Sequence, residues 1–204
     1  MLSILLLKEW FRLKKSLLAL FILLSMLPMV LHLFNSIPLS NIVSLDMRYQ
    51  NWSAPGIWVT SSCMLTFINS VLRIKHIKSD TRQLESLLKA PIKNSDIIHS
   101  ISLLATFMGL LQLVFSIFIT VLLNNEYLTI LQILFIIIQL FPLLLFFAFL
   151  GTLLGIFLKS SLYLIYLSIM LFLILSFSIG AFIPLHFFPS NYISIINNLP
   201  FSMI

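Results

Sequence analysis

Residues 97–123, IIHSISLLATFMGLLQLVFSIFITVLL, decide the fold. The stretch carries no Asp, Glu, Lys or Arg. About 20 apolar residues in a helix cover the hydrocarbon core of a bilayer, and this run is longer than that. Four other blocks share the property: about 16–34, 54–72, 127–158 and 162–183. None has a charged residue in its interior. Pro28 predicts a kink in the first block and Pro142 in the fourth. Ala54-Pro55-Gly56 opens the second, where proline suits the first turn of a helix.

Composition agrees with the blocks. The 204 residues are 60% hydrophobic and 9% charged, with 19 Phe, and the mean hydropathy is +1.12. A water-soluble domain needs about a quarter of its residues charged to coat its surface. So low a charge excludes a soluble domain, and the long Leu, Ile and Phe runs exclude a disordered or fibrous chain. The expectation is an all-α integral membrane protein: one transmembrane domain over 1–204, crossing the membrane five times.

A net charge of +6 invites a nucleic-acid reading, but the positions of the charges speak against it. Lys8, Arg12, Lys14 and Lys15 form one cluster; Arg73, Lys75, Lys78, Arg82, Lys89 and Lys93 form another, with Lys159 alone. Basic residues between apolar blocks mark cytoplasmic loops. With the N-terminus in the cytoplasm, the 73–96 loop and Lys159 also lie inside, and only Arg48, beside Asp46, lies outside. Eleven of the 12 basic residues then share one side, and the C-terminus faces out. No nucleic-acid partner is expected; the bilayer itself is. The N-terminal block has no small-residue cleavage site and reads as a retained first helix, not a signal peptide.

Two segments do not span. Met1–Lys15 reads MLSILLLKEWFRLKK; on a helix Lys8, Arg12 and Lys15 share one face, and Leu6, Trp10 and Leu13 the other. That pattern suits a helix lying in the interface, Trp10 at headgroup level, and it also suits a basic flank of the first span. Residues 184–204, PLHFFPSNYISIINNLPFSMI, hold three prolines and three asparagines and read as a re-entrant or interfacial piece on the outer side.

Catalytic signals are lacking. Gly56, Gly109, Gly151, Gly155 and Gly180 have no phosphate-cradling spacing. His32, His76, His99 and His186 lie far apart, without Cys or carboxylate partners at ligand spacing, so neither a metal nor a cofactor is expected. The lone Cys63 sits in an apolar run and reads as a small buried hydrophobe. The chain is not expected to be an enzyme. The polar content of the spans is Ser, Thr, Asn69, Gln112, Gln132 and Gln139, groups that more often bond between helices than line a path. Gly151-Thr-Leu-Leu-Gly155 permits close helix approach.

The loop between the second and third blocks is the most patterned. Asp80 and Gln83 fit a helix start, Glu85 and Lys89 are spaced as a helical ion pair, and Leu84, Leu87 and Leu88 form an apolar stripe. Pro91 ends the helix, and Asn94 or Ser95 can cap the next. Such a helix is a docking surface for a cytoplasmic partner, or else a solvated connecting turn.

Leu84-Glu85-Ser86-Leu87-Leu88-Lys89-Ala90-Pro91-Ile92 resembles the coupling-helix loop in permease subunits of type-2 ATP-binding-cassette (ABC) exporters. There, an acidic-Gly-Thr segment commonly precedes Leu-Glu-x-Leu-Leu-x-x-Pro; here Arg82 and Gln83 stand in place of Gly and Thr. Ser53-Ala54-Pro55-Gly56-Ile57 is similar to that family's Pro-Gly opening of the second span, and Met1–Lys15, with Lys8, Trp10, Arg12 and Lys15, to its interface helix. Phe182-Ile183-Pro184-Leu185, Phe188-Pro189 and Asn198-Leu199-Pro200 resemble its outer re-entrant region. The family has six spans; the sixth would follow Pro200, and the sequence ends at Ile204.

The resemblance implies a permease in a bacterial-type inner membrane that exports an amphipathic or lipidic substrate. ATP would be hydrolysed by separate ABC ATPase subunits docked on Leu84, Glu85, Leu87, Leu88, Lys89 and Pro91, and the permease would pair as a homodimer or heterodimer. The permease of the haem-handling complex of cytochrome c maturation has a similar size, Pro-Gly opening and loop. A non-transporting membrane scaffold or immunity protein could recruit a partner through the same loop.

Overall fold

The computed structural model describes residues 17–40, 49–79, 94–124, 128–158, 160–178, 181–184 and 187–197. Among them every regular element is helical. In chain order these are α1 (Leu17–Leu31), a π-helical turn (His32–Ser36), α2 (Ile37–Ser40), α3 (Tyr49–Ser79), α4 (Asn94–Asn124), α5 (Ile130–Phe157), α6 (Ser161–Ser178) and α7 (Ser190–Asn197). The long helices α3, α4 and α5 are each long and apolar enough to cross a membrane. The apolar parts of α1 and α6 are shorter. The protein is a helical membrane protein.

One helix organises the bundle. In α3, 72% of the membrane-length stretch is buried, against 44% in α4 and 17% in α5. It packs most extensively on α5 and α4, and also meets α6, α1 and the π-turn. A helix enclosed by others needs no greasy coat, and α3 is correspondingly rich in small hydroxylated residues: Ser53, Thr60, Ser61, Ser62, Thr66 and Ser70 are all buried. By contrast α5 turns Phe135, Ile138, Phe146, Leu153 and Phe157 outward. Exposed apolar side chains at that density suit hydrocarbon, not water.

Glycines set the closeness of the contacts with α3. A Cβ at Gly109 of α4 would overlap Thr66 Oγ1. A Cβ at Gly151 of α5 would overlap Ser70 Oγ and lie 2.8 Å from the Phe67 carbonyl oxygen. One turn further on, Gly155 faces Ile74 and Val71 at 3.3–3.4 Å. The G-x-x-x-G of α5 thus lies along α3. Without a hydrophobic drive between helices in lipid, such backbone approach supplies the van der Waals contact that holds them together. Larger side chains fill the remainder: Cys63, Met64, Phe67 and Val71 of α3 pack with Leu144 of α5 and Leu164 and Phe172 of α6. Ala54 and Trp58 pack with Leu113 and Ile117 of α4 and Leu140 of α5.

The element ends differ from expectation at both ends of α3 and at the start of α5. The α3 helix begins at Tyr49, so Pro55 lies inside it, not in its first turn. The adjacent Gly56 admits the segment after α6: a Cβ there would overlap the Ala181 carbonyl. That segment is pinned where the Tyr49 hydroxyl donates to the Phe182 carbonyl and the Phe182 ring is buried with Leu31 and Ile57. At its other end α3 continues to Ser79; its 31 residues rise about 46 Å, well past a hydrocarbon core of about 30 Å. The helix α5 starts after Thr129, whose hydroxyl accepts the Gln132 backbone N–H while Gln132 Oε1 accepts the Thr129 N–H at 2.9 Å. Gln132 therefore caps its own helix, and the expectation that it bonds between helices is corrected; Gln139 is exposed on α5.

Because a Cβ at Gly151 would come within 2.8 Å of a backbone carbonyl while one at Gly155 would meet nothing closer than 3.3 Å, the two differ in tolerance. Gly151→Val is expected to lower stability by about 1–3 kcal/mol through overpacking, and Gly155→Ala by well under half of that. Thermal unfolding of the detergent-solubilised protein measures both; equal losses at the two positions would contradict the register of α5 on α3.

Candidate functional site

The first polar site is set by a missing donor. Pro28 lies inside α1, so the helical bond from its nitrogen to the Leu24 carbonyl cannot form. The Gln112 side chain of α4 takes its place: Nε2 donates to the Leu24 carbonyl oxygen at 2.9 Å. Gln112 is fully buried, and Leu24 likewise. A backbone carbonyl left bare in hydrocarbon costs several kcal/mol, and a neighbouring helix's side chain is one of the few groups able to satisfy it. The kink in α1 and the glutamine in α4 are therefore one feature.

Four residues beyond Pro28 the chain enters the π-turn, closed by the Ile37 N–H donating to the His32 carbonyl. The turn carries three buried polar side chains, His32, Asn35 and Ser36. Ser36 Oγ lies 2.9 Å from Ser53 Oγ of α3. His32 Nε2 lies 2.8 Å from Thr120 Oγ1 of α4, and the Trp58 indole of α3 donates to the same oxygen at 2.9 Å. Thr120 itself donates to the Ser116 carbonyl at 2.9 Å. A hydroxyl has one proton and two acceptor lone pairs. Two N–H donors and one carbonyl acceptor use all three, which assigns the proton of His32 to Nε2. Three helices are thus joined at one oxygen. Thr60 of α3 reaches Ser176 of α6 at 2.7 Å, and Asn124 of α4 donates to Asn51 of α3 at 3.0 Å. These links hold no charge and no activated nucleophile; their chemistry is positional. Among the described residues no three His, Cys, Asp or Glu side chains converge.

The second site is the basic end of the bundle. Arg73, Lys75, His76 and Lys78 occupy the final turns of α3. The Lys75 ammonium donates to the Leu158 carbonyl and Lys78 Nζ to the Ile156 carbonyl, at the C-terminal end of α5. The last carbonyls of a helix have no partner within it and carry partial negative charge, so cations are well matched to them. The opening between these ends is a groove of about 620 Å³ lined by Leu72, Lys75, His76, Lys78, Ser79, Ile156, Phe157 and Leu158.

The docking residues Leu84, Glu85, Leu87, Leu88, Lys89 and Pro91, and the interface residues Lys8, Trp10, Arg12 and Lys15, lie outside the described residues. Gly151 and Gly155 lie against α3 as given above. Sequence reading singled out Pro28 and Gln112 separately but did not join them. The signal for joining them is that a proline and an amide each occupy a charge-free span. No signal brings His32, Trp58 and Thr120 together, since only the packing of three helices does so. No protein-family model, curated protein or solved structure matches the chain.

Replacing Gln112 with Leu is expected to cost about 1–3 kcal/mol by stranding the Leu24 carbonyl. Pro28→Ala restores the backbone donor, so the double variant Pro28→Ala/Gln112→Leu is expected to recover most of that loss. A thermal-unfolding double-mutant cycle reads the coupling; strictly additive losses would remove Gln112 from its role at the proline.

Proposed function

We propose that this chain is the membrane-spanning permease subunit of an ABC exporter, driven by ATP hydrolysed on separate ATPase subunits. The observation that carries the reading is the Leu84–Pro91 segment, with its acidic, apolar and proline spacing, set between the two long helices α3 and α4. Basic residues at the end of α3 lead into it. Supporting features occur in the family's order along the chain: a basic amphipathic N-terminus, the Pro-Gly motif in α3, and Pro-rich segments after α6.

In this reading α1 and α6 cross the membrane along with α3, α4 and α5, the N-terminus and the 73–96 loop face the cytoplasm, and the chain pairs with a second permease. Closure of the ATPases on ATP pushes the loop. The push passes into α3 and α4, which the 80–93 segment joins, and α3 touches every other spanning helix. Stiff, glycine-tight contacts favour movement between two packings over continuous bending. A substrate path with Ser, Thr and Gln among Phe and Leu suits an amphipathic or lipidic molecule. The haem-handling alternative is disfavoured at His32, which is 1% exposed and has its Nε2 engaged with Thr120.

The test is co-purification from native membranes. A tagged wild-type chain is expected to bring down a Walker-motif ATPase. Glu85→Arg with Leu88→Asp, which reverses the charge and breaks the apolar stripe, is expected to lose it while still inserting into the membrane. An ATPase retained by that variant would overturn the docking assignment; none with the wild type would favour a scaffold.

A further inference from the structure

The first helix is held in two different ways. From Leu24 onward, α1 and the π-turn that continues it are hydrogen-bonded to their neighbours: the Leu24 carbonyl to Gln112 at 2.9 Å, His32 to Thr120 at 2.8 Å and Ser36 to Ser53 at 2.9 Å. Leu31 adds a buried apolar contact with Ile57 and Phe182. Before Leu24, residues 17–23 read LLALFIL and offer no polar side chain. There Phe21 meets Phe115 of α4 edge to face at 5.3 Å, yet Phe21 is still 57% exposed and Ile22 47%. Among the described residues every close glycine approach involves α3, and none involves α1. Helices in lipid gain no hydrophobic drive by burying such side chains in each other, because acyl chains are equally apolar. Residues 17–23 are therefore held to α4 by contacts that a lipid tail can replace.

A bend point separates the two parts. Pro28 removes the helical bond to the Leu24 carbonyl, and prolines are where sharp helix kinks occur. The π-turn at His32–Ser36 is a second departure from α geometry, four residues further on. A bend would ordinarily bare the Leu24 carbonyl, but Gln112 caps it from the side, so α1 can flex there without stranding a backbone group. We propose that residues 17–23 swing away from α4 about the turn between Leu24 and Pro28, with a lipid acyl chain entering between Phe21 and Phe115, while the π-turn stays fixed. Val114 and Phe118, on either side of Phe115 along α4, are exposed, so the acyl chain comes directly from the surrounding bilayer. Gln112 is the pivot, and the bonds of His32 and Ser36 are the anchor. The proposal rests on α1 crossing the membrane and not on any ATPase.

Spin labels on the full chain in phosphatidylcholine nanodiscs test it, in a Cys63→Ala background. A label pair at Ile22→Cys and Phe118→Cys reports the swinging part, and a pair at Leu33→Cys and Leu122→Cys the anchored part. Two distances are expected for the first pair and one for the second. Pro28→Ala, which restores the helical donor, is expected to collapse the first pair to its shorter distance. A phosphatidylcholine carrying a diazirine in its acyl chain reads the ligand. Its adducts at Phe21 and Phe115 are expected to fall roughly fivefold in Pro28→Ala, with those at exposed Phe118 unchanged. Should Pro28→Ala fail to fold, the contrast between the two label pairs with Pro28 in place decides alone. A single narrow distance for the first pair, equal spread in both pairs, or adducts indifferent to Pro28→Ala would each overturn the hinge. None of these readouts involves an ATPase, so failure of the hinge and failure of the permease reading are told apart.

Discussion

In hydrocarbon no water is present to satisfy a polar group, and the described structure is organised around that constraint. The hydrogen bond from Gln112 to the Leu24 carbonyl expresses it most directly. Pro28 removes a donor from α1, and α4 supplies one from the side. The bond fixes the level of α4 against α1. About two turns further along, His32 and Thr120 meet at the same relative level, as the parallel course of the two helices requires. Each interhelical bond contributes on average only about 0.6 kcal/mol in a membrane, yet a stranded partner costs more. Such bonds therefore select a register more than they add stability.

The same constraint explains why the least apolar helix is the central one. A residue such as Thr66 or Ser70 facing lipid would gain nothing. Facing Gly109 or Gly151 it allows two backbones to close, while its hydroxyl bonds the carbonyl of Ser62 or Phe67 within its own helix. Close approach and polar satisfaction come from the same small side chains. With α3 thus enclosed, α5 is left to face the acyl chains, and its surface is the apolar coat that α3 lacks. At the basic end the constraint relaxes, and charged side chains take over the satisfaction of helix carbonyls.

Much of this was legible from individual residues. The charge-free runs predicted helices close to where α3, α4 and α5 occur, because length and hydropathy are local properties. Gly151 and Gly155, four apart, announced a face for close packing, because helical periodicity places them together. Helix ends were less legible. Tyr49–Gln50–Asn51 carries no strong helix signal, yet these residues are helical, and Tyr49 is pinned to Phe182, far away in the chain. Gln132 read like Gln112, and only the Thr129 hydroxyl three residues earlier separates a cap from an interhelical bond.

By itself the sequence determined that this is a helical membrane protein and that its basic residues gather in clusters between the apolar runs. Each follows from composition and spacing along a single helix. The tertiary structure alone decided which polar residues serve one another: Gln112 with Leu24, His32 and Trp58 with Thr120, and Lys75 and Lys78 with the end of α5. A hydrogen bond depends on distance in space, and the partners here lie tens of residues apart. Only the packing of the helices around α3 brings them within reach.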